Sequence, residues 1–250
     1  MLVDIHCHLD SKEFESDLDL VIKRAKQQGL KVIINNGLNL QTNKKTLELA
    51  KKYKDIIKAS LGLYPIDAQN TDLSKIDETL NHILKNKNKI IAIGEIGLDF
   101  SYSPDIKKQI QVFNKIVFLA EKIKKPIIIH SRDAEKEIIE TLSNSNIKHK
   151  ILHSFGGSKE LITKAEKNNF YFSIPPSIVR SSNFQTLVSM VSTSNLLTES
   201  DSPYLGITRD KRNEPSNIAY TIKKISQIKN LDESETKNII FSNYQKIFLK

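Results

Sequence analysis

The sequence predicts an α/β protein, a (β/α)8 TIM barrel in a single domain, and three observations carry that expectation. Eight short apolar, β-rich runs recur along the chain, amphipathic stretches of helical period separate them, and the whole fits within 250 residues. The runs are residues 3–9, "KVIINNG" at 31–37, "IKASLGL" at 57–63, "IIAIGEIGLD" at 90–99, "PIIIHSR" at 126–132, "KILHSFG" at 150–156, "FYFSIPP" at 170–176 and "NLLTESD" at 195–201. Their Val, Ile, Leu and Phe content suits strands buried on both faces of a parallel sheet. Helical patterns fall at 16–28, 41–54, 72–87, 104–124 and 158–168, and more follow from 214 onward. An open doubly wound sheet would need a glycine-rich nucleotide loop, and none stands after any of these strands. No linker, repeat or low-complexity tract interrupts the alternation, so residues 1–250 read as one domain.

Composition narrows the class. Charged residues are 27% of the chain and the apolar set 39%, as in a soluble globular protein. No apolar run approaches the roughly 20 residues a bilayer span requires, and the N-terminus lacks a signal-peptide pattern, so a cytoplasmic protein with no membrane partner is expected. The single cysteine, Cys7, excludes an internal disulfide and a thiolate-rich zinc site. The formal charge of +9 favours polyanions, yet the lysines are scattered, and a scatter describes a solvated surface as well as a nucleic-acid footprint.

The chemistry starts in "VDIHCHLD" at 3–10. Residues two apart on a strand share a face, so His6 and His8 converge while Cys7 points the other way as a small buried residue. Two buried imidazoles need two sets of partners or one shared cation. Further ligand-type groups lie near other predicted strand ends: Glu95 in the fourth, His130 in the fifth, His153 in the sixth and Asp201 closing the eighth. In a TIM barrel those carboxyl ends form one rim, where active sites sit. Each has a plainer role available: a hydrogen-bonded core histidine for His130 or His153, a buried salt bridge for Glu95, a turn or cap for Asp201 before Ser202 and Pro203. His82, in a helical pattern, and His149, in "KHK", read as surface residues.

Taken in order, "VDIHCHLD", "GEIGLDF", the spacing of Gln109 and Phe113, "KPIIIHSRDA", "HSFGGS", "LLTESDSPYL", "KRNEP" at 211–215 and "FSNYQKIF" resemble the TatD family of metal-dependent deoxyribonucleases, among the amidohydrolase-type TIM barrels. The likeness runs essentially the full length. It implies that His6, His8, Glu95, His130, His153 and Asp201 bind two divalent metal ions, with Glu95 bridging. On that basis His6, His8 and Asp201 are expected to hold one ion and His130 and His153 the other. Two such ions can activate a water and clamp the attacking and leaving oxygens of a phosphodiester. Asp201 is expected both to ligate and to take the proton of that water, so Asp201 and Glu95 are the catalytic candidates. Imidazole and carboxylate together suit Zn, Mn, Fe or Ni better than Mg, which stays open.

Substrate contacts are expected from Arg132, whose planar fork suits phosphate unless Asp133 or another carboxylate holds it, and from rim aromatics Phe155, Tyr102 and Tyr204. The family has histidine in "GLHP" where this chain reads "GLYP". Tyr64 can still donate a hydrogen bond to substrate but carries no positive charge at neutral pH. The expected partner is DNA, cut by hydrolysis and, as the resemblance implies, from a single-stranded 3′ end; the chain is expected to act as a monomer. A related barrel hydrolase acting on a small amide, ester or lactone is the alternative, and a non-catalytic nucleic-acid-binding protein the third reading.

Overall fold

The computed structural model describes residues 1–101 and 105–249. In chain order the elements are β1 (Leu2–Cys7), α1 (Leu18–Gln27), β2 (Leu30–Asn36), α2 (Leu40–Lys52), β3 (Ile57–Leu61), α3 (Pro65–Gln69), α4 (Leu73–Lys85), β4 (Ile90–Asp99), α5 (Ile106–Ile123), β5 (Ile127–Arg132), α6 (Glu135–Ser143), β6 (Lys150–His153), α7 (Lys159–Lys167), β7 (Phe170–Ile174), α8 (Ser182–Met190), β8 (Leu196–Thr198), α9 (Ile218–Lys229) and α10 (Glu233–Phe248). The strands form one eight-stranded sheet in sequential order, and the pairs from β1–β2 through β7–β8 are parallel. This is the expected (β/α)8 barrel. Its seam is drawn together by hydrogen bonds: Thr198 Oγ1 donates to the Val3 carbonyl at 2.6 Å, Asp201 N–H to His6 O at 2.9 Å, and His8 N–H to Ser202 O at 2.8 Å.

The strands are apolar along their length because both faces are covered. Ile5, Ile33, Ile93, Ile129, Leu152, Phe172 and Leu197 are fully buried, and the helices cover the outside with Val21, Ile76, Phe113, Ile138 and Ile222. Local signals agree with this plan. Asn39 caps α2 by accepting from the N–H groups of Gln41 and Thr42, worth about 1 kcal/mol, and Pro65 opens α3 where its missing N–H costs nothing.

Most strands end short of the runs the sequence suggested, β6 and β8 by the most. β6 stops at His153 and β8 at Thr198, because the chain turns into the rim loops there. Asp201 therefore stands in the loop just past β8 instead of closing it, with φ at 51°. Ser154, directly after His153, has φ 46°, and Asp133, directly after Arg132, has φ 52°. Left-handed backbone at non-glycine residues is uncommon and gathers at functional loops. Here each instance turns the chain away as soon as an inward-facing side chain has been delivered.

His149 corrects another expectation. It is buried, 8% exposed, at the opposite end of the barrel immediately before β6, because its ring packs toward Tyr171 at 5.9 Å between centroids.

Candidate metal centre at the barrel mouth

The fold brings all six sequence-predicted groups together at the C-terminal mouth, each at most 8% exposed. β1 supplies His6, and the turn directly after it supplies His8. β4 supplies Glu95 in mid-strand, where the flanking glycines have a steric purpose. A Cβ at Gly97, whose φ is 146°, would collide with the His130 carbonyl oxygen, and one at Gly94 would collide with Ile128 on β5. "GEIG" thus lets β4 lie against its neighbours closely enough to carry the carboxylate into the barrel.

Glu95 lies between two pairs of imidazoles. Its Oε2 is 3.4 Å from both His6 Nε2 and His8 Nε2, while Oε1 is 3.1 Å from His130 Nδ1 and 3.3 Å from His153 Nε2. Asp201 Oδ1 stands 3.5 and 3.6 Å from the His6 and His8 nitrogens. The two Nε2 atoms of His6 and His8 are 3.2 Å apart, and the His6 and His153 rings stack at 4.0 Å. Three overlapping sets, His6–His8–Glu95, Glu95–His130–His153 and His6–His153–Asp201, each have candidate ligand atoms within 4.8 Å of one another.

The outer nitrogens decide which lone pairs face inward. His8 Nδ1–H donates to the Asn36 carbonyl at 3.0 Å, and His130 Nε2–H to Asp99 Oδ2 at 3.0 Å. His153 Nδ1 faces Glu199 Oε2 at 3.5 Å. Each then aims its other nitrogen at Glu95, the arrangement that orients metal-binding histidines. The donor set therefore fits divalent metal: imidazole nitrogens and ionised carboxylates converge, with oxygen acceptors behind His8, His130 and His153.

Electrostatics point the same way. Burial pushes Glu95 upward, but the His153 charge and the hydrogen bonds of His130, His153 and His6 prevail and hold it well below the carboxylate range. Burial likewise opposes ionisation of Asp201, yet His8, His153 and His6 keep it below its ordinary value. For His8 burial is outweighed by hydrogen bonds to Asp201 and Glu95, and its pKa rises to about 10. His6 falls to about 4 through burial and the neighbouring His153 charge. Without metal, protons occupy part of the space where a cation would sit.

A cavity of about 580 Å3 opens above this cluster, lined also by Tyr64, Arg132, Glu135 and Tyr204. The Arg132 side chain is half exposed, with Nη1 3.7 Å from Asp99 Oδ2; the carboxylate beside it is Asp99, not Asp133. Tyr64 donates its hydroxyl to Asp99 Oδ2 at 3.1 Å, and its ring meets His130 edge-on at 5.0 Å. Tyr204 is 59% exposed, 6.5 Å from the His8 ring. Phe155, proposed for base stacking, is 2% exposed, because its ring turns inward against Phe172 at 5.6 Å; it belongs to the core. Tyr102 lies outside the described residues.

Sequence reading passed over Asp99, Glu199 and Asp4, all fully buried beside the cluster. Asp4 accepts the backbone N–H of His6 at 3.2 Å and of Ser200 at 2.8 Å, tying β1 to the loop after β8. The period of two that pairs His6 with His8 also aligns Asp4 with them, Glu199 with Asp201, and Asp99 with Glu95, so the signal was present.

A barrel whose mouth gathers imidazoles and carboxylates around one central glutamate has the make-up of a metal-dependent hydrolase. The family model for TatD-related DNases matches residues 3–249. Deoxyribonuclease TATDN3 of Homo sapiens is 32% identical, the alignment covering 100% of this chain and 95% of the human protein. An uncharacterized metal-dependent hydrolase of Methanocaldococcus jannaschii is 35% identical, over 98% of this chain and 96% of its own. Among solved structures, a TatD homologue of Escherichia coli K12 superposes with a TM-score of 0.91 at 22% identity, covering 100% of this chain and 98% of that one, which is a likeness of fold. The chain belongs to the TatD-related DNase family, and so to the hydrolases that act on ester bonds.

Proposed function

We propose that the chain hydrolyses phosphodiester bonds of DNA at this mouth, with His6, His8 and Asp201 holding one divalent ion, His130 and His153 the other, and Glu95 shared between them. The observation that carries the reading is the Glu95 carboxylate, one oxygen turned to each imidazole pair. Bound divalent ions would supply Lewis acidity, neutralising phosphate charge and making water acidic.

The chain's own residues do the rest. Asp201, ionised at neutral pH, takes the proton from the attacking water. Arg132, at the cavity wall, holds a non-bridging phosphate oxygen through its guanidinium fork. Tyr204, exposed at the rim, offers a ring on which a base can stack. A recessed cavity admits a flexible strand end more readily than a paired duplex, which supports attack on single-stranded DNA; the 3′ polarity rests on the family resemblance alone.

The test is cleavage of end-labelled single-stranded DNA by purified protein with Mn2+ or Mg2+. EDTA should stop it, and Glu95→Ala should lower kcat/KM by roughly 10³-fold or more, since metal stabilisation of the transition state is worth several kcal/mol. Equal residual cutting by wild type and Glu95→Ala would assign the activity to a contaminant. Turnover of small esters, lactones or amides with DNA left intact would move the reaction to another ester or amide substrate.

A further inference from the structure

Asp99 ends β4 fully buried, and the reaction above gives it no task. One of its oxygens is shared: Oδ2 accepts His130 Nε2–H at 3.0 Å and the Tyr64 hydroxyl at 3.1 Å, and Arg132 Nη1 stands 3.7 Å from the same atom. Oδ1 accepts the Ser101 N–H at 3.1 Å. The backbone behind the carboxylate is pinned by a reciprocal pair with Gln109: Asp99 N–H donates to Oε1, and Nε2 donates back to Asp99 O, both at 2.9 Å. Tyr64 is anchored as well, its N–H donating to Leu38 O at 2.8 Å at the head of α3.

We propose that Tyr64 and Asp99 are a positioning pair for His130, and that the Tyr64 hydroxyl serves the ligand set through Asp99 instead of touching substrate. The inference rests on the metal reading of the mouth. A carboxylate oxygen flanked by imidazole and guanidinium can turn toward either. The hydroxyl fills its remaining acceptor direction and keeps it on the imidazole. His130 is then fixed with Nδ1 toward Glu95 Oε1, 3.1 Å away. Tyr64→Phe keeps the ring and removes only that donor, leaving a buried acceptor short of one hydrogen bond.

The experiment titrates metal-stripped protein with Zn2+ by calorimetry and follows the zinc-loaded protein by 15N-histidine NMR. Wild type should bind Zn2+ and show a low-field His130 Nε2–H resonance. Tyr64→Phe should weaken one binding event about fivefold, part of the worth of one hydrogen bond to a charged group, and move that resonance upfield. At saturating metal its KM for single-stranded DNA should equal that of wild type. Asp99→Ala should weaken the same event roughly 10- to 100-fold and abolish the resonance. A merely structural loss would lower the melting temperature and leave the resonance in place, which overturns the proposal. If Tyr64→Phe raises KM while Zn2+ affinity and the resonance stay as in wild type, tyrosine contacts substrate; the pair is refuted and the metal reading stands. If wild type binds no Zn2+ at the mouth, the metal reading itself fails and takes the pair with it.

Discussion

The two ends of the barrel put histidine to opposite uses. At the mouth, His6, His8, His130 and His153 lie among Glu95, Asp99, Glu199 and Asp201, and His8 rises to a pKa of about 10 because hydrogen bonds to Asp201 and Glu95 overcome burial. At the foot, His149 borders a groove of about 410 Å3 whose lining includes Lys124, Lys125 and Lys148. Both its ring nitrogens lack a hydrogen-bond partner among the described residues, and burial, aided by the Lys148 and Lys246 charges, lowers it to about 4. A buried imidazole says little by itself. Several imidazoles converging on shared carboxylates make a place that attracts a cation, even where one ring, His6, is itself kept neutral; a lone ring buried beside lysines does not.

The largest effect expected from this contrast is metal-linked stability confined to the mouth. Zn2+ at about 1,000 times its Kd should stabilise the fold by about 4 kcal/mol, raising the melting temperature of a 250-residue chain by roughly 8–16 °C. The shift should grow as pH rises from 6 toward 9, since ligation must displace the proton His8 holds. His130→Ala should remove much of it and His149→Leu none, as read by thermal melting with and without EDTA. An equal loss in both variants would erase the distinction between the two ends.

How much of this contrast was legible in the sequence depends on what each residue's neighbours are. His6 and His8 could be paired because a strand has a period of two, and eight strand patterns sufficed to put Glu95, His130, His153 and Asp201 on one rim. Burial of His149 was not legible: two lysines beside it in "KHK" look like surface, and only the packing of its ring toward Tyr171 withdraws it from water. Phe155 failed for the converse reason, since a rim loop can turn a ring inward and "HSFGGS" does not say which way. Asp99 and Glu199 were within reach, but a strand-end acid resembles a turn former until its imidazole partner is in view.

A smaller effect separates the ends by pH in metal-free protein. His8 has a folded pKa above its unfolded value, so its contribution is full below about 6.5 and is lost as pH rises through about 10; Asp4, raised from 3.8 to about 8 chiefly by burial, has the same sign, its contribution full below about 3.8 and gone above about 8 in wild type and His149→Leu alike. His149 has the opposite sign. Its folded pKa is depressed, so its contribution is present above about 6.5 and lost as pH falls toward about 4. The urea midpoint of His149→Leu should therefore gain on wild type between pH 7 and pH 4.5, while the two proteins decline in parallel from pH 7 to 10. A constant gap across the acid range would mean that the fold does not depress the His149 pKa.

The smallest effect tests the cause of that depression. If lysine charge contributes beside burial, Lys148→Gln should raise the His149 pKa by a few tenths, read from the pH dependence of its ring carbon-bound proton signals, and 1 M salt should reproduce part of the change by screening. Stability at pH 7 should move by less than about 1 kcal/mol, as for other exposed charges. Burial is the larger cause, so His149 should stay neutral near pH 7 even in the Lys148→Gln, Lys246→Gln double variant. Should that double variant titrate near 6.5, the foot would differ from the mouth through its lysines alone, and the packing of His149 would be irrelevant to its charge.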